Sequence, residues 1–513
     1  MNIYTSLCCG NTLFTARAYH AGMERYFTVV NAVCGNAGKS LPRQMFVSRL
    51  MLLLMVFLLL PVISEAVDMD PLGTQSYVGP NPASVPNSRV PTYTCAPVNS
   101  VSGALDLMQV ANLALCNNPQ TQAAWINTKI AAAQLGVSRG AYLPTLGLSA
   151  YQQRDYANPN PQGGPPGTQT ERNVSLSLQY LLLDFGGRGA QVESDKQTLI
   201  AADLSQDAEI QSVLFAAIQD YYDFLATKEA VTANQESARS NQAAYDAAVA
   251  RHNAGTATIS DVLQAKTALS QALLTLTQAQ GAFTTAHGTL ANIMGLPADA
   301  GFSIAPLSSE PANSIADANL KDLIARAAAT RPDLAAAQAE IASAQAGVTV
   351  AKSTGLPTLS LFATPTYSHS TAFGTQHETM YGLSLSVPLF SGFTTTYQVY
   401  RAKAELESAV TQRNQIQNQV SLDVFQAYTE LITSENALAA AEDLVKSAQA
   451  SAQVAIGRYK AGVGDILDVL SANAALVSAQ DQEIQNRYNL YISRASLAKA
   501  IGSLDVGSLD SPS

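Results

Sequence analysis

A chain of 513 residues can hold three or four ordinary domains or one extended one. Only 13% of it is charged and 7% aromatic, with Ala-, Gln-, Ser- and Asn-rich stretches that favour long helices over a single globular core. A formal net charge of -10 with no run of Lys and Arg argues against nucleic acid as a partner, and leaves either a solvated acidic surface or an acidic conduit that disfavours anions.

Leu50 to Ile63 form a nearly unbroken apolar run, preceded by Arg43 and Arg49 and followed by Ser64-Glu65-Ala66. A basic start, an apolar centre and small residues at the two positions a peptidase reads predict a secretory signal cleaved after Ala66. The run is shorter than the roughly 20 residues that a membrane-crossing helix needs. The residues before it are superfluous to a signal and fit a start codon assigned too early, with Met45 or Met23 as the true start. Residues 1–66 are therefore assigned to this leader and 67–102 to an N-terminal extension. No other stretch is apolar enough for a membrane helix, so any insertion must use strands. Cys8, Cys9 and Cys34 leave with the leader. Cys95 and Cys116 remain, and in an oxidising compartment they are expected to pair, the alternative being two free buried thiols. Tyr93-Thr94-Cys95 lacks the apolar run that precedes a lipid-attachment cysteine.

The rest of the chain contains itself twice. Pro119 to Ala150 aligns without a gap on Pro332 to Ala363 at an offset of 213, and Val174 to Gly295 repeats at an offset of 207. Arg251-His252-Asn253-Ala254-Gly255 thereby meets Arg458-Tyr459-Lys460-Ala461-Gly462. The length difference falls between 151 and 173, where Asn158 to Gly167 reads as a flexible loop. Repeat 1 is assigned to 103–295, a linker or equatorial segment to 296–320, repeat 2 to 321–502 and a tail to 503–513.

Each copy is expected to run helix, strand, loop, strand, long helix, turn, helix. The first helix spans roughly 104 to 141 and stops at Leu143-Pro144; its twin stops at Leu356-Pro357. Residues 188 to 252 carry helix formers without proline, and Ile210, Leu214, Ala217, Tyr221 and Phe224 form the stripe of a helix seated between neighbours. Past the turn Val262, Leu269, Leu276, Phe283 and Leu290 recur every seven residues. Val469, Leu476, Leu490 and Leu497 answer them, with Glu483 at the one broken position. That period implies left-handed coiled-coil packing, against the alternative of a hairpin in a globular bundle. The long helix, roughly 100 Å at 1.5 Å per residue, exceeds a compact domain, and two shorter helices end to end match it.

In the second strand of each copy Val174, Leu176, Leu178, Tyr180 and Leu182, and Tyr381, Leu383, Leu385, Val387 and Leu389, alternate with small or polar residues. The pattern suits a barrel wall between lipid and water, and equally a soluble sheet half-buried on a core. The leader, and Phe185, Phe390 and Phe393 at the strand ends, favour the membrane. Four strands cannot enclose a lumen, and open edges in lipid leave backbone groups unsatisfied. Three copies would supply twelve strands and a matching tube of twelve helices.

The duplicated Leu-Pro junctions, Leu389-Phe390-Ser391-Gly392 and the run Tyr459 to Leu470 resemble the TolC-type outer-membrane efflux and secretion channels, from about residue 100 to 504. Cys116-Asn117-Asn118-Pro119-Gln120 followed by Trp125 looks most like the branch serving type I secretion of large proteins such as adenylate cyclase toxins. The resemblance implies a mainly α fold with membrane β strands: a trimeric 12-stranded barrel continued by an α-helical coiled-coil barrel in the periplasm. It also implies a homotrimer in outer-membrane lipid, docked on a periplasmic adaptor and an inner-membrane ABC transporter, or on a proton-driven pump. Asp468 matches a family constriction aspartate; a second such aspartate is Ser471 here, and the arginine of the closing link is Gly464. Tyr459 and Asp261 match other members of that link. Asp465 either supplies a second carboxylate or caps a helix.

No cofactor, metal or catalytic activity is expected. Gly35 to Ser40 mimics a phosphate loop but lacks its first glycine, and the five histidines show no ligand spacing. Two other functions remain open: the outer-membrane component of a multidrug or metal efflux pump, and a soluble periplasmic coiled-coil adaptor. N-terminal sequencing of the mature chain is expected to begin at Val67; a first residue upstream of Leu50 would remove the cleavage assignment.

Overall fold

The computed structural model describes residues 70–85, 95, 104–157, 167–305, 319–371 and 373–504, together with the backbone of 4–8 and 13–17. The chain divides into two compact units, Met1–Pro71 and Leu72–Ser513. Within the first, strands β1 (Tyr4–Cys8) and β2 (Leu13–Arg17) pair as an antiparallel hairpin. The predicted signal from Leu50 to Ile63 and its cleavage point at Ala66 lie outside the described residues.

The second unit begins repeat 1 with β3 (Ala104–Leu105), α1 (Leu107–Asn117) and α2 (Pro119–Gly140). Asp106 and Gln109 close α1 with a reciprocal capping box. The single helix expected over 104–141 is therefore two. Pro119 occupies the first position of α2, and Asn118 is held extended at ψ 130° and caps it through the Gln120 N–H. Thr121 donates to Leu115 O and Asn118 O, which satisfies carbonyls that the break exposes. The same break recurs in repeat 2, where α5 (Leu320–Thr330) gives way to α6 (Pro332–Ser353) at Arg331-Pro332.

Strands β4 (Thr145–Ala157) and β5 (Gly167–Leu183) follow α2, then α3 (Gly187–Asn253), α4 (Ile259–Ile293) and β6 (Ser303–Ile304). Repeat 2 supplies β7 (Thr358–Ser370), β8 (Gly374–Ser386), α7 (Thr394–Lys460) and α8 (Ile466–Ile501). Both α3 and α7 hold 67 residues, about 100 Å each. The short helices lie beside different halves of the long one: Thr128 of α2 donates to Gln206 of α3, whereas the Phe283 ring of α4 packs tilted against Phe224 with centroids 5.1 Å apart. β8 stops at Ser386, so Val387 and Leu389, expected within it, lie past its end. Pro388 has no N–H to continue a ladder.

The seven-residue seam is real packing. Ala265 and Ala272 are buried and alternate along α4 with half-buried Val262, Leu269, Leu276 and Phe283 before fully buried Leu290. Glu483 breaks the seam in α8 because it is part of an ionic cluster: Arg487 binds Glu483 at 2.7 Å and Glu229 at 3.2 Å, and the Tyr488 hydroxyl donates to Glu229 at 2.6 Å. A core of Leu115, Leu214, Ile218, Tyr222, Leu290 and Tyr491 binds α1, α3, α4 and α8 together.

Residues 72–85 run as a strap along α2 to α3. Arg139 donates to Leu72 O, the Trp125 indole to Gly79 O at 2.8 Å, and the buried Gln206 amide to Pro82 O and Ser84 O. Further on, Cys95 is joined to Cys116 near the end of α1, with Cα atoms 5.4 Å apart. Closing a loop of sequence separation 21 stabilises by about 3 kcal/mol on chain-entropy grounds. Peptide mapping without reductant is expected to recover Cys95 linked to Cys116, and Cys116→Ser to lower stability by about that amount; free thiols in the mature protein would retire the bridge.

Candidate channel wall and constriction

One antiparallel sheet, in the order β4-β5-β7-β8, joins the two repeats through β5 and β7. Its register sorts side chains by face. Leu146, Leu178, Ala363 and Tyr381 form one cross-strand row, and Leu361 lies between Tyr180 and Leu383 on the same face. These apolar groups are bare: Leu148 is 68% exposed, Tyr381 79% and Leu385 66%. A sheet half-buried on a soluble core would have covered them.

The opposite face is polar. Ser149 and Ser175 share a hydrogen bond of 2.7 Å, and Ser177 Oγ donates to Gly147 O. Nearer the 158–166 connection, Gln153 donates to Glu171 at 2.9 Å and the Tyr151 hydroxyl to the same carboxylate at 3.3 Å. Register places Asp155 and Glu378 on that face too. An apolar side against hydrocarbon and an acidic polar side against water is what a channel wall requires. Within the described residues β4 and β8 are each paired along one edge only, so the sheet is open on both sides.

The strand-to-helix corners are built twice with the same backbone and swapped residues. Phe185 (φ 52°) and Gly186 (φ 89°) precede α3, whereas Gly392 (φ 62°) and Phe393 (φ 64°) precede α7 at the equivalent positions. A left-handed phenylalanine is strained, and its ring gains exposure in return: Phe185 is 52% exposed and Phe393 64%. In the first corner Asp184 accepts from the Arg188 N–H at 2.7 Å and from its guanidinium at 3.1 Å.

At the far end of the long helices, Gly255 and Gly462 turn the chain at φ 72° and 79° into α4 and α8. The sequence-predicted residues converge here in unequal roles. Tyr459 is buried among Ala244, Ala248, Ile466 and Val469; the Arg251 guanidinium lies 4.3 Å from its ring centre and donates to its carbonyl at 2.9 Å. The Tyr459 hydroxyl is buried and has no hydrogen-bond partner among the described residues. Asp261 completes a capping box with Thr258 at the start of α4. Asp465 is the N-cap of α8, accepting from the Leu467 N–H at 3.2 Å. Asp468, one turn on, is left with an exposed carboxylate whose one charged neighbour within the described tip is Arg458 at 4.0 Å.

Gly464 explains itself sterically. A Cβ there would meet Tyr459 N at 2.9 Å and Arg458 C at 3.0 Å, so a side chain requires the turn to shift, and the cation that faces Asp468 is Arg458. The clustering of Arg251 on Tyr459 carried no periodic signal in the sequence, because it joins one repeat to the other. Farther up α3, burial pushes Asp203 up to about 7 and Asp220 up to about 6, so the formal charge overstates the negative charge of the helical wall near neutrality.

Residues 110–296 and 323–503 match the family described as outer membrane efflux protein. Among curated relatives, Protein CyaE of Bordetella pertussis is 27% identical over 423 residues, 82% of this chain and 88% of that protein. Outer membrane protein TolC of Escherichia coli is 26% identical over 428 residues, 79% of this chain and 84% of that protein. Among solved structures, the outer membrane protein VceC of Vibrio cholerae superposes with a TM-score of 0.66 at 21% identity, covering 77% of this chain and 96% of VceC. The fold is thus that of the TolC-like channels, a helical barrel joined to membrane strands.

In planar bilayers Asp468→Ala is expected to weaken block by divalent cations about tenfold while leaving single-channel insertion intact. Unchanged block would remove Asp468 from the constriction.

Proposed function

The chain belongs to the outer membrane efflux protein family and is an outer-membrane channel subunit, and on that footing we propose that it is the passive exit duct of a type I secretion system. In this reading three copies close twelve strands into one barrel and twelve helices into one tube. The tube meets a periplasmic adaptor, and an inner-membrane ABC transporter supplies the energy. The supporting observation is the two-faced sheet open at β4 and β8: each unpaired backbone group in lipid costs several kcal/mol, so edges of this length call for neighbours.

The secretion assignment rests on the likeness to CyaE and on the segment Cys116 to Trp125, where Asn118 caps α2 and Trp125 anchors the strap. A second reading keeps the fold and changes the cargo. The family's description as efflux proteins supports the exit duct of a multidrug or metal efflux pump. The soluble adaptor reading is disfavoured by an apolar sheet face that nothing in the second unit covers among the described residues. No catalytic step is assigned to the chain.

Disrupted cells are expected to yield the protein in the outer-membrane fraction, where a short amine cross-linker gives a band of three chains. Recovery as a water-soluble monomer would end the duct proposal. Deleting the gene for the cognate ABC exporter or for a proton-driven pump, and measuring which loss phenocopies loss of this chain, separates secretion from efflux.

A further inference from the structure

The register that puts every carboxylate of the sheet on the polar face puts every basic side chain of the sheet on the other. Toward the 158–166 connection, the apolar face continues from Leu178 and Tyr381 into a row of Ala150, Val174, Tyr367 and His377. The next row is Gln152, Arg172, His369 and Thr375. Arg154 follows on β4, opposite Thr170. With strands about 4.8 Å apart and a rise of about 3.4 Å per residue, successive members of the set Arg154, Arg172, His369, His377 lie about 5 to 8 Å apart and the whole spans about 20 Å across four strands.

The two guanidiniums are not neutralised locally. Among the described residues neither Arg154 nor Arg172 is in an ion pair. Arg172 donates from Nε to Gln152 at 3.0 Å, and its remaining guanidinium N–H groups have no hydrogen bond or ion pair among the described residues. The nine residues 158–166 carry no acid. Tyr367, its ring 4.9 Å from His377, lies in the first of these rows and Tyr156, 73% exposed, three rows farther toward the connection, so aromatic groups of the kind that border hydrocarbon stand on both sides of the basic set. A guanidinium inside hydrocarbon is costly, so this row marks the height at which headgroups begin.

We propose that Arg154, Arg172, His369 and His377 form a docking site for the phosphates of an anionic lipid headgroup in the outer leaflet. The proposal rests on the outer-membrane reading above, with the helices on the periplasmic side. Planar guanidiniums suit two-pronged binding of phosphate oxygens, the imidazoles add N–H donors, and the acyl chains continue down the Leu176 to Leu385 face. Placing the carboxylates on the lumen side keeps repulsion away from the lipid and leaves an acidic mouth for the conduit.

The test uses the full mature channel in nanodiscs, after fractionation and cross-linking have shown insertion and trimer, so that a failure here is distinct from a failure of the duct reading. Native mass spectrometry would count retained bis-phosphorylated lipid A. The Arg154→Gln, Arg172→Gln double variant is expected to retain it at least about tenfold less well. The Glu171→Gln variant, changed on the other face, should retain it fully. Lipid A stripped of phosphate should bind wild type no better than the double variant, and excess inorganic phosphate should not displace the intact lipid. Equal retention by the double variant, equal retention of stripped lipid, or displacement by inorganic phosphate would each overturn the site. If the double variant does not insert, the stripped-lipid comparison on wild type decides.

Discussion

Hydrocarbon offers no partner to an N–H or a carbonyl, and that constraint organises the whole chain. The sheet of β4, β5, β7 and β8 satisfies its interior ladders and leaves one edge of β4 and one of β8 without a neighbour among the described residues. A strand cannot lie in lipid in that state, because each orphaned group costs more than a surface salt bridge can return. Everything else is arranged around completing the wall. The apolar face is bare because lipid will cover it, the polar face is small because a lumen must pass, and the corners at Phe185 and Phe393 redirect the chain into helices with ordinary internal bonding.

The duplication makes this economical, and its imperfections show where the two copies do different work. Gln206 is buried and holds the carbonyls of the strap. Its equivalent in repeat 2, at the offset of 207, is Arg413, which turns to Gln417 at 3.2 Å instead. Likewise the turn into α4 is closed by a Thr258 and Asp261 capping box, whereas the turn into α8 uses Asp465 alone. The swap of Phe-Gly for Gly-Phe at the two corners keeps the backbone and moves an exposed ring by one position. Equal folds thus carry unequal chemistry, and three such chains give a tube with two kinds of groove.

What the sequence made legible was periodic. Heptads from Val262 to Leu290, alternation from Val174 to Leu182 and the absence of proline from 188 to 252 each fix an element by repetition, and the helices and strands fall there. What escaped was local or long-range. The breaks at Asn118-Pro119 and Arg331-Pro332 were hidden because a proline at the first position of a helix satisfies helix statistics on both sides of it. The strap from Leu72 to Val85 has no period at all; its anchors are hydrogen bonds to Trp125, Arg139 and Gln206, and although Trp125 stood out in the family-like segment, nothing in the pattern of these three residues ties them to the strap. Arg251 on Tyr459 joins positions 208 apart, beyond any pattern within one helix.

The tip shows how such detail bears on function. Of the aspartates that the sequence brings to this end, Asp261 and Asp465 accept backbone N–H groups at helix starts, so part of each carboxylate is committed to capping. Asp468 alone is uncommitted to the backbone, and Arg458 at 4.0 Å faces it across an exposed turn where the attraction is screened. Because a Cβ at Gly464 would press on the Tyr459 and Arg458 backbone, a second cation at that position would need the turn to shift. In a trimer the constriction would therefore rest on three carboxylates, each shadowed by one arginine, while Tyr459 and Arg251 lock the two hairpins of one chain to each other. A gate of that composition would be held by packing within each subunit more than by charge between subunits, as the proposed polypeptide duct would need in order to open wide.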